Sequence, residues 1–148
     1  MHSFTSCHVH LVFSTKERRK LITQDLQERL WPYLGGIARE NKMKALCVGG
    51  VEDHIHILLS LPSTLAISKA VQLLKGNSSK WIHETSPAQH AFAWQEGYCA
   101  FSIGVSGVDD TIKYIQSQPE HHQTRTFKEE LVAFLRKHGL EYDETMLD

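Results

Sequence analysis

VEDHIHILLS, residues 51–60, alternates in polarity through its centre. Read as a strand, it places His54, His56, Leu58 and Ser60 on one face and Ile55, Ile57, Leu59 and Leu61 on the other. The second face is wholly apolar and belongs in a core, so the first holds two imidazoles side by side on a rigid element. Two ring nitrogens two residues apart on a strand converge within reach of one metal ion. The same spacing also serves solvent-facing or hydrogen-bonded histidines. A second His-x-His pair, His8 and His10 in CHVHLVFST (residues 7–15), shows that the spacing alone does not mark a site.

Outward from this stretch the chain alternates strands with helices. CHVHLVFST is itself a β-branched, alternating strand. After the charged connection TKERRK (15–20), the spacing of Leu26, Leu30, Leu34 and Ile37 predicts a helix from Thr23 to Asn41. Thr23 is its N-cap, and a kink or break is expected at Pro32 and the Gly35-Gly36 pair. Two antiparallel strands follow, Met43 to Gly49 and His54 to Leu61. Ser63 or Thr64 then caps a helix reaching His83, with Ile67, Val71 and Leu74 buried. At least one more strand lies around Tyr98 to Ile103. A Gly104–Gly107 joint leads to a helix over Val108 to Gln118, which projects Tyr114 and Gln118 from one face. Pro119 follows directly and makes the backbone of Gln118 less helical. The last helix opens on Thr126-x-x-Glu129, a capping box, and an acidic tail of residues 141–148 closes the chain.

With 148 residues and 41% apolar content, one domain over 1–148 is expected. No apolar run approaches the roughly 20 residues needed to cross a bilayer, and the first residues lack a signal-peptide layout, so a cytoplasmic protein is expected. Cys7, Cys47 and Cys99 are too widely spaced for a disulfide framework or a CxxC metal site, and buried thiols are expected. The formal charge is −1, but the last eight residues carry four acids and no Lys or Arg, leaving +3 for the 140 before them. Lys16, Arg18 and Arg19 cluster after the first strand, and Lys75 and Lys80 fall on the second helix. These five form a possible local basic surface and are the candidate nucleic-acid contacts, although an ordinary solvated surface has the same composition.

Two imidazole nitrogens and one amide oxygen leave a divalent ion several open positions, as Lewis-acid chemistry on a phosphate requires. A tyrosine beside such an ion can attack a phosphodiester and hold one end of the cut strand covalently. At these residues the chain resembles the single-tyrosine HUH transposases of small bacterial and archaeal insertion sequences. HVHLVFSTKERR (8–19) and GGVEDHIHILLSLP (49–62) are similar to the family's first strand and its His-hydrophobic-His strand. LLKGNSSKWIHE (73–84) and FAWQEGYCAFSIG (92–104) resemble its middle segments, YIQSQPEHH (114–122) its tyrosine helix, and FKEELVAFLRKHGLEYDE (127–144) its C-terminal helix and tail.

The resemblance implies an HUH-type α+β fold with a ferredoxin-like core, its antiparallel sheet covered mainly on one face by helices. It makes His54, His56 and Gln118 ligands of Mg2+ or Mn2+, makes Tyr114 the nucleophile, and gives His8 and His10 no catalytic role. It further implies single-stranded DNA with hairpin ends as substrate, a 5′-phosphotyrosine intermediate, and a homodimer whose active site is shared between subunits. Three alternatives stay open: a hairpin-binding module that does not cut, a domesticated relative that processes palindromic repeats, and a zinc phosphohydrolase that uses water. Because the His56 imidazole is assigned outside the core, His56→Ala is expected to spare the fold.

Overall fold

The structure, a computed structural model, describes residues 1–147. Four strands, β1 (His8–Ser14), β2 (Lys44–Gly50), β3 (His54–Ser60) and β4 (Cys99–Ile103), form one antiparallel sheet in the order β2-β3-β1-β4. Helices α1 (Gln24–Glu40) and α2 (Ile67–Thr85) connect β1 to β2 and β3 to β4. This βαββαβ order is that of a ferredoxin-like α+β fold. Since β1 and β2 both run antiparallel to β3, they are parallel to each other, and α1 is the crossover between them. After β4 come α3 (Val108–Gln116), α4 (Gln118–His121) and α5 (Phe127–Lys137). Among the described residues no helix is long and apolar enough to cross a membrane.

The apolar face of β3 goes where its alternation sends it. Ile55, Ile57 and Leu59, with Val9, Leu11 and Phe13 of β1, form one core cluster with Leu26, Leu30, Leu34 and Ile37 of α1 and Ala70, Val71, Leu74 and Ile82 of α2. Thr23 caps α1 by accepting the Leu26 N–H. Of the kink or break expected at Pro32 and the Gly35-Gly36 pair, no break occurs: α1 is one continuous helix over Gln24–Glu40. An interior proline costs a helix about 3 kcal/mol, but Leu30 and Leu34, on either side of Pro32, are fully buried and hold the axis against the sheet. Helix α2 starts later than expected, at Ile67, and takes no side-chain cap from Ser63 or Thr64.

The other face of the sheet is covered too. The register sets His10, Val12 and Ser14 of β1 opposite Leu58, His56 and His54 of β3, and Phe101 and Cys99 of β4 opposite His10 and Val12. Over Val12 and Phe101 lie Phe127, Leu131 and Leu135 of α5, joined by Leu147. The acidic tail therefore folds back: a turn spans Glu144–Leu147, and Arg18 donates a hydrogen bond to the Leu147 carbonyl. Asp148, the last of the four tail acids, lies outside the described residues. Under this second layer His54 and His56 are fully buried, which corrects the expectation that His56 can be removed without cost to the fold. Cys7 is exposed and Cys47 and Cys99 are half-buried, where buried thiols are expected from the sequence.

Candidate active site

Strand β3 delivers both imidazoles, and each is oriented through its Nδ1. The His54 Nδ1–H donates to the Asp53 carboxylate at 2.7 Å, and the His56 Nδ1 lies 2.8 Å from Nε2 of His10 on the neighbouring strand. Both Nε2 atoms then face the same carboxylate. Glu130, on the buried side of α5, brings Oε1 to 2.9 Å from His56 and 3.4 Å from His54. Its Oε2 accepts the hydroxyl of Tyr114 and lies 3.2 Å from Nε2 of His122. The Gln118 Oε1 joins the group at 3.3 Å from His54 Nε2 and 3.0 Å from His122 Nε2. The expected residues His54, His56, Tyr114 and Gln118 are thus brought together in a single chain, and His10, Asp53, His122 and Glu130 are added to them.

Charge follows from burial and these contacts. Burial works against the Glu130 carboxylate, yet the N–H donors of His122, His54 and His56 outweigh it and hold the group well below the usual carboxylate range. Burial also opposes a charge on His54, but the Asp53 and Glu130 carboxylates raise it above an ordinary histidine. His56 is lowered by burial. His10 is lowered from 6.5 to about 3, by burial first and by His56 next. The Tyr114 phenol is pushed well above its ordinary value by burial and by the adjacent Glu130 charge, so it stays protonated near neutrality.

A pH dependence follows for the metal-free protein. Between about 3 and 6.5 the folded state leaves His10 neutral while the unfolded chain protonates it, so its contribution is present above pH 6.5 and is lost as pH falls through that window. His54 acts in the opposite sense: its contribution is present below pH 6.5 and is lost as pH rises through its raised folded value. The His10 share is of the order of 4 kcal/mol. Urea titrations at pH 7 and pH 4.5 should show the midpoint falling in acid, and His10→Gln should reduce that fall; equal falls in both proteins would remove His10 as the cause.

Helix α3 reaches the pair because β2 lets it come close. Gly49 stands opposite His56 in the β2–β3 register, and a Cβ there would meet the Ile115 carbonyl oxygen at 2.8 Å and its Cγ2 at 2.9 Å. For the tyrosine chemistry that the family resemblance implies, Gly49→Ala should push α3 and Tyr114 outward and lower strand cleavage by about 10- to 100-fold, since small misplacements of a reacting group are costly. Circular dichroism would separate this from unfolding, and unchanged cleavage would show that the close approach is not needed. The helix itself ends two residues earlier than expected: Ser117 breaks it, and Gln118 opens α4 ahead of Pro119. Tyr114 and Gln118 meet through this break, not along one continuous helix.

The donor chemistry fits a divalent cation. Nitrogens of His54 and His122 and a Glu130 oxygen all lie within 4.8 Å of one another, with His56 on the same carboxylate. Imidazole nitrogen, carboxylate and amide oxygen form a mixed N/O set of the kind such ions take. The Nε2 atoms of His54 and His122 both face the Gln118 amide oxygen and the Glu130 carboxylate, and these are residues that would hold such an ion. The Gln118 Nε2 is buried without a partner, its amide turned to present oxygen to the group.

The candidate DNA contacts fare unevenly. Lys75 donates to the carbonyls of Gln95 at 2.7 Å and Gly97 at 2.6 Å and lies over the Phe13 ring. Arg18 is tied to Leu147 and stands 5.2 Å from the Phe127 ring centroid, and Arg19 pairs with Glu17. Lys16 and Lys80 remain exposed.

The chain is similar to known proteins in both sequence and fold. The family model described as transposase IS200 like matches residues 3–118, from ahead of β1 to Gln118. The chain is 27% identical over 114 residues to the ISDra2 transposase TnpA of Deinococcus radiodurans, covering 74% of this chain and 81% of the relative. It is 26% identical over 120 residues to the transposase for insertion sequence element IS200 of Salmonella typhimurium, covering 76% of this chain and 79% of the relative. Among solved structures, a Deinococcus radiodurans protein assigned as a transposase superposes with a TM-score of 0.62 at 23% identity, covering 80% of this chain and 95% of that one. A REP-associated tyrosine transposase bound to a REP hairpin superposes with a TM-score of 0.61 at 14% identity, covering 82% and 72%. With three-quarters of its length matched by the family model, and with its fold shared by these two structures, the chain belongs to the IS200-like transposase family.

Proposed function

We propose that this chain cuts and rejoins single-stranded DNA at hairpin-marked ends, with Tyr114 as the nucleophile. The observation that carries the reading is that the Tyr114 hydroxyl donates to Glu130 Oε2 while Oε1 of the same carboxylate faces His54 and His56. A nucleophile, a proton acceptor and a ligand set thus share one buried carboxylate, in a chain of a transposase family. A divalent ion, Mg2+ or Mn2+, held by His54, His56 and Gln118 would supply Lewis-acid stabilisation of charge on the scissile phosphate.

The chain's own groups do the rest. The phenol is protonated near neutrality, so attack on phosphorus needs a base; Glu130 Oε2 accepts the hydroxyl's hydrogen bond and becomes basic enough to take the proton once the His54, His56 and His122 donors that lower it are given up. The bond to the 3′-oxygen breaks, leaving a 5′-phosphotyrosine and a 3′-hydroxyl. A 3′-hydroxyl from another strand reverses the step, joins the DNA and returns the proton to Tyr114. Two transesterifications conserve the phosphodiester bond energy, so no ATP is required.

Hairpin recognition draws on the REP-hairpin complex of the structural relative. That likeness favours a second reading in which the chain processes dispersed palindromic repeats without moving its own element. The family resemblance implies a homodimer with the active site shared between subunits, and such a dimer would also hold two DNA ends together. The chain acts as one domain, on cytoplasmic DNA.

The test uses oligonucleotides from the protein's own flanking hairpins, labelled on either side of the cut, with Mg2+, Mn2+ or chelator, run on a denaturing protein gel. A metal-dependent protein band that keeps the label 3′ of the cut supports the mechanism. Cleavage without any such band points to water as nucleophile, and tight hairpin binding without cleavage points to a binding module.

A further inference from the structure

Beside Tyr114 lies a cavity of about 570 Å³, whose walls include His10, Arg125, Phe134, Lys137 and His138. It is bounded by the end of β4, the Gly104–Gly107 joint and the outer turns of α5. Two of its cations are free. Arg125, half-buried, and Lys137, exposed, have no ion-pair or hydrogen-bond partner for their charged groups among the described residues. An unpaired, partly desolvated guanidinium is costly unless an anion completes it. Arg125 acts electrostatically on the Tyr114 phenol and Lys137 on His10, so two cations flank this part of the site, while burial lowers the His138 imidazole from the ordinary histidine value. The same wall carries aromatic rings: Phe134 lies edge-on to Tyr114 at 5.3 Å, and His138 stacks on Phe101 at 4.6 Å.

We propose that this cavity is a single-strand subsite, in which Arg125 and Lys137 contact the phosphates flanking the scissile one and the Phe134 and His138 rings face the bases. Cations tracking a backbone beside aromatic faces are the composition of a single-strand groove. A duplex, with two backbones, does not enter a concavity of this volume. Asp110 also lines the cavity, on α3, and its carboxylate keeps the phosphates on the α5 side. The family match ends at Gln118, so Arg125, Lys137 and His138 lie beyond it. The subsite rests on the proposed strand chemistry for its purpose, and on the free cations and the cavity for its existence.

The experiment is fluorescence anisotropy on the full chain in a Tyr114→Phe background, with a labelled single strand of about 12 nucleotides and a duplex of equal length. The double variant Arg125→Ala/Lys137→Ala should weaken single-strand binding by about tenfold and flatten the salt dependence by roughly 0.7 in log–log slope for each phosphate no longer neutralised. Duplex binding should be unchanged, Arg125→Lys should keep most of the affinity, and Asp110→Asn should tighten single-strand binding by about twofold. An unchanged single-strand affinity and slope in a double variant with wild-type melting temperature overturns the subsite, as does an equal loss on duplex. Should the double variant not fold, Asp110→Asn with no gain for the single strand overturns it too. A DNA-linked band missing from wild-type protein, with this charge dependence intact, would remove the cutting mechanism and leave the subsite standing.

Discussion

Tyr114→Phe is expected to leave no DNA-linked protein band and to lower strand cleavage by more than about 10³-fold, because the hydroxyl that forms the new bond is gone. The substitution should be gentle on the fold. Glu130 loses one of its donors but keeps His54, His56 and His122, and a single hydrogen bond contributes about 1 kcal/mol. The ring itself keeps its contacts with Phe134 and His121. Hairpin affinity, read by anisotropy, should stay within about twofold, since the chemistry and not the docking depends on the hydroxyl. A surviving adduct in Tyr114→Phe would place the nucleophile elsewhere in the chain.

His56→Ala is expected to cost both the fold and the metal. The side chain is fully buried, and its removal opens a cavity, strips a donor from Glu130 Oε1 and leaves His10 Nε2 without its partner. Together these should destabilise the chain by roughly 2–4 kcal/mol, read as a fall of about 5–15 °C in melting temperature for a chain of this size. Wild-type protein should gain melting temperature on adding Mn2+, because an ion that binds only the folded state stabilises it by mass action. His56→Ala should lose most of that gain. A variant that melts like wild type and still responds to Mn2+ would remove His56 from both roles.

Much of this site is visible in the linear chain because its parts are local. The His54–His56 spacing, the apolar Ile55–Ile57–Leu59 face, the Thr23 cap and the Thr126–Glu129 box are each short-range patterns, and each corresponds to an observed strand or cap. Tyr114 and Gln118 are close in sequence, so proximity survives even though α3 breaks at Ser117. Pro32 shows the limit of a local rule: the penalty it carries is outweighed by leucines packed on either side against a sheet the sequence does not display.

Glu130 is the clearest case of the opposite kind. In the sequence it is one of two acids in the first turn of α5, where acids commonly complement the helix dipole. Its role at the centre of the site arises because α5 lies across the second face of the sheet and turns this one carboxylate inward, 74 residues along the chain from His56. His10 faces His56 only because β1 pairs with β3 in the register that sets Val12 against His56, and alternation fixes a face without fixing a partner. The burial of the histidine pair, the shared carboxylate and the free cations at the Tyr114 cavity follow from the same docking. The sequence by itself determined the strands, the apolar face of the sheet and the histidine pair, since these rest on periodicity and short spacing, while Tyr114 as candidate nucleophile came from the resemblance of its segment to the family. Only the tertiary structure decided what covers the pair, which groups orient it and where its charges balance, because those depend on long-range packing that no local pattern encodes.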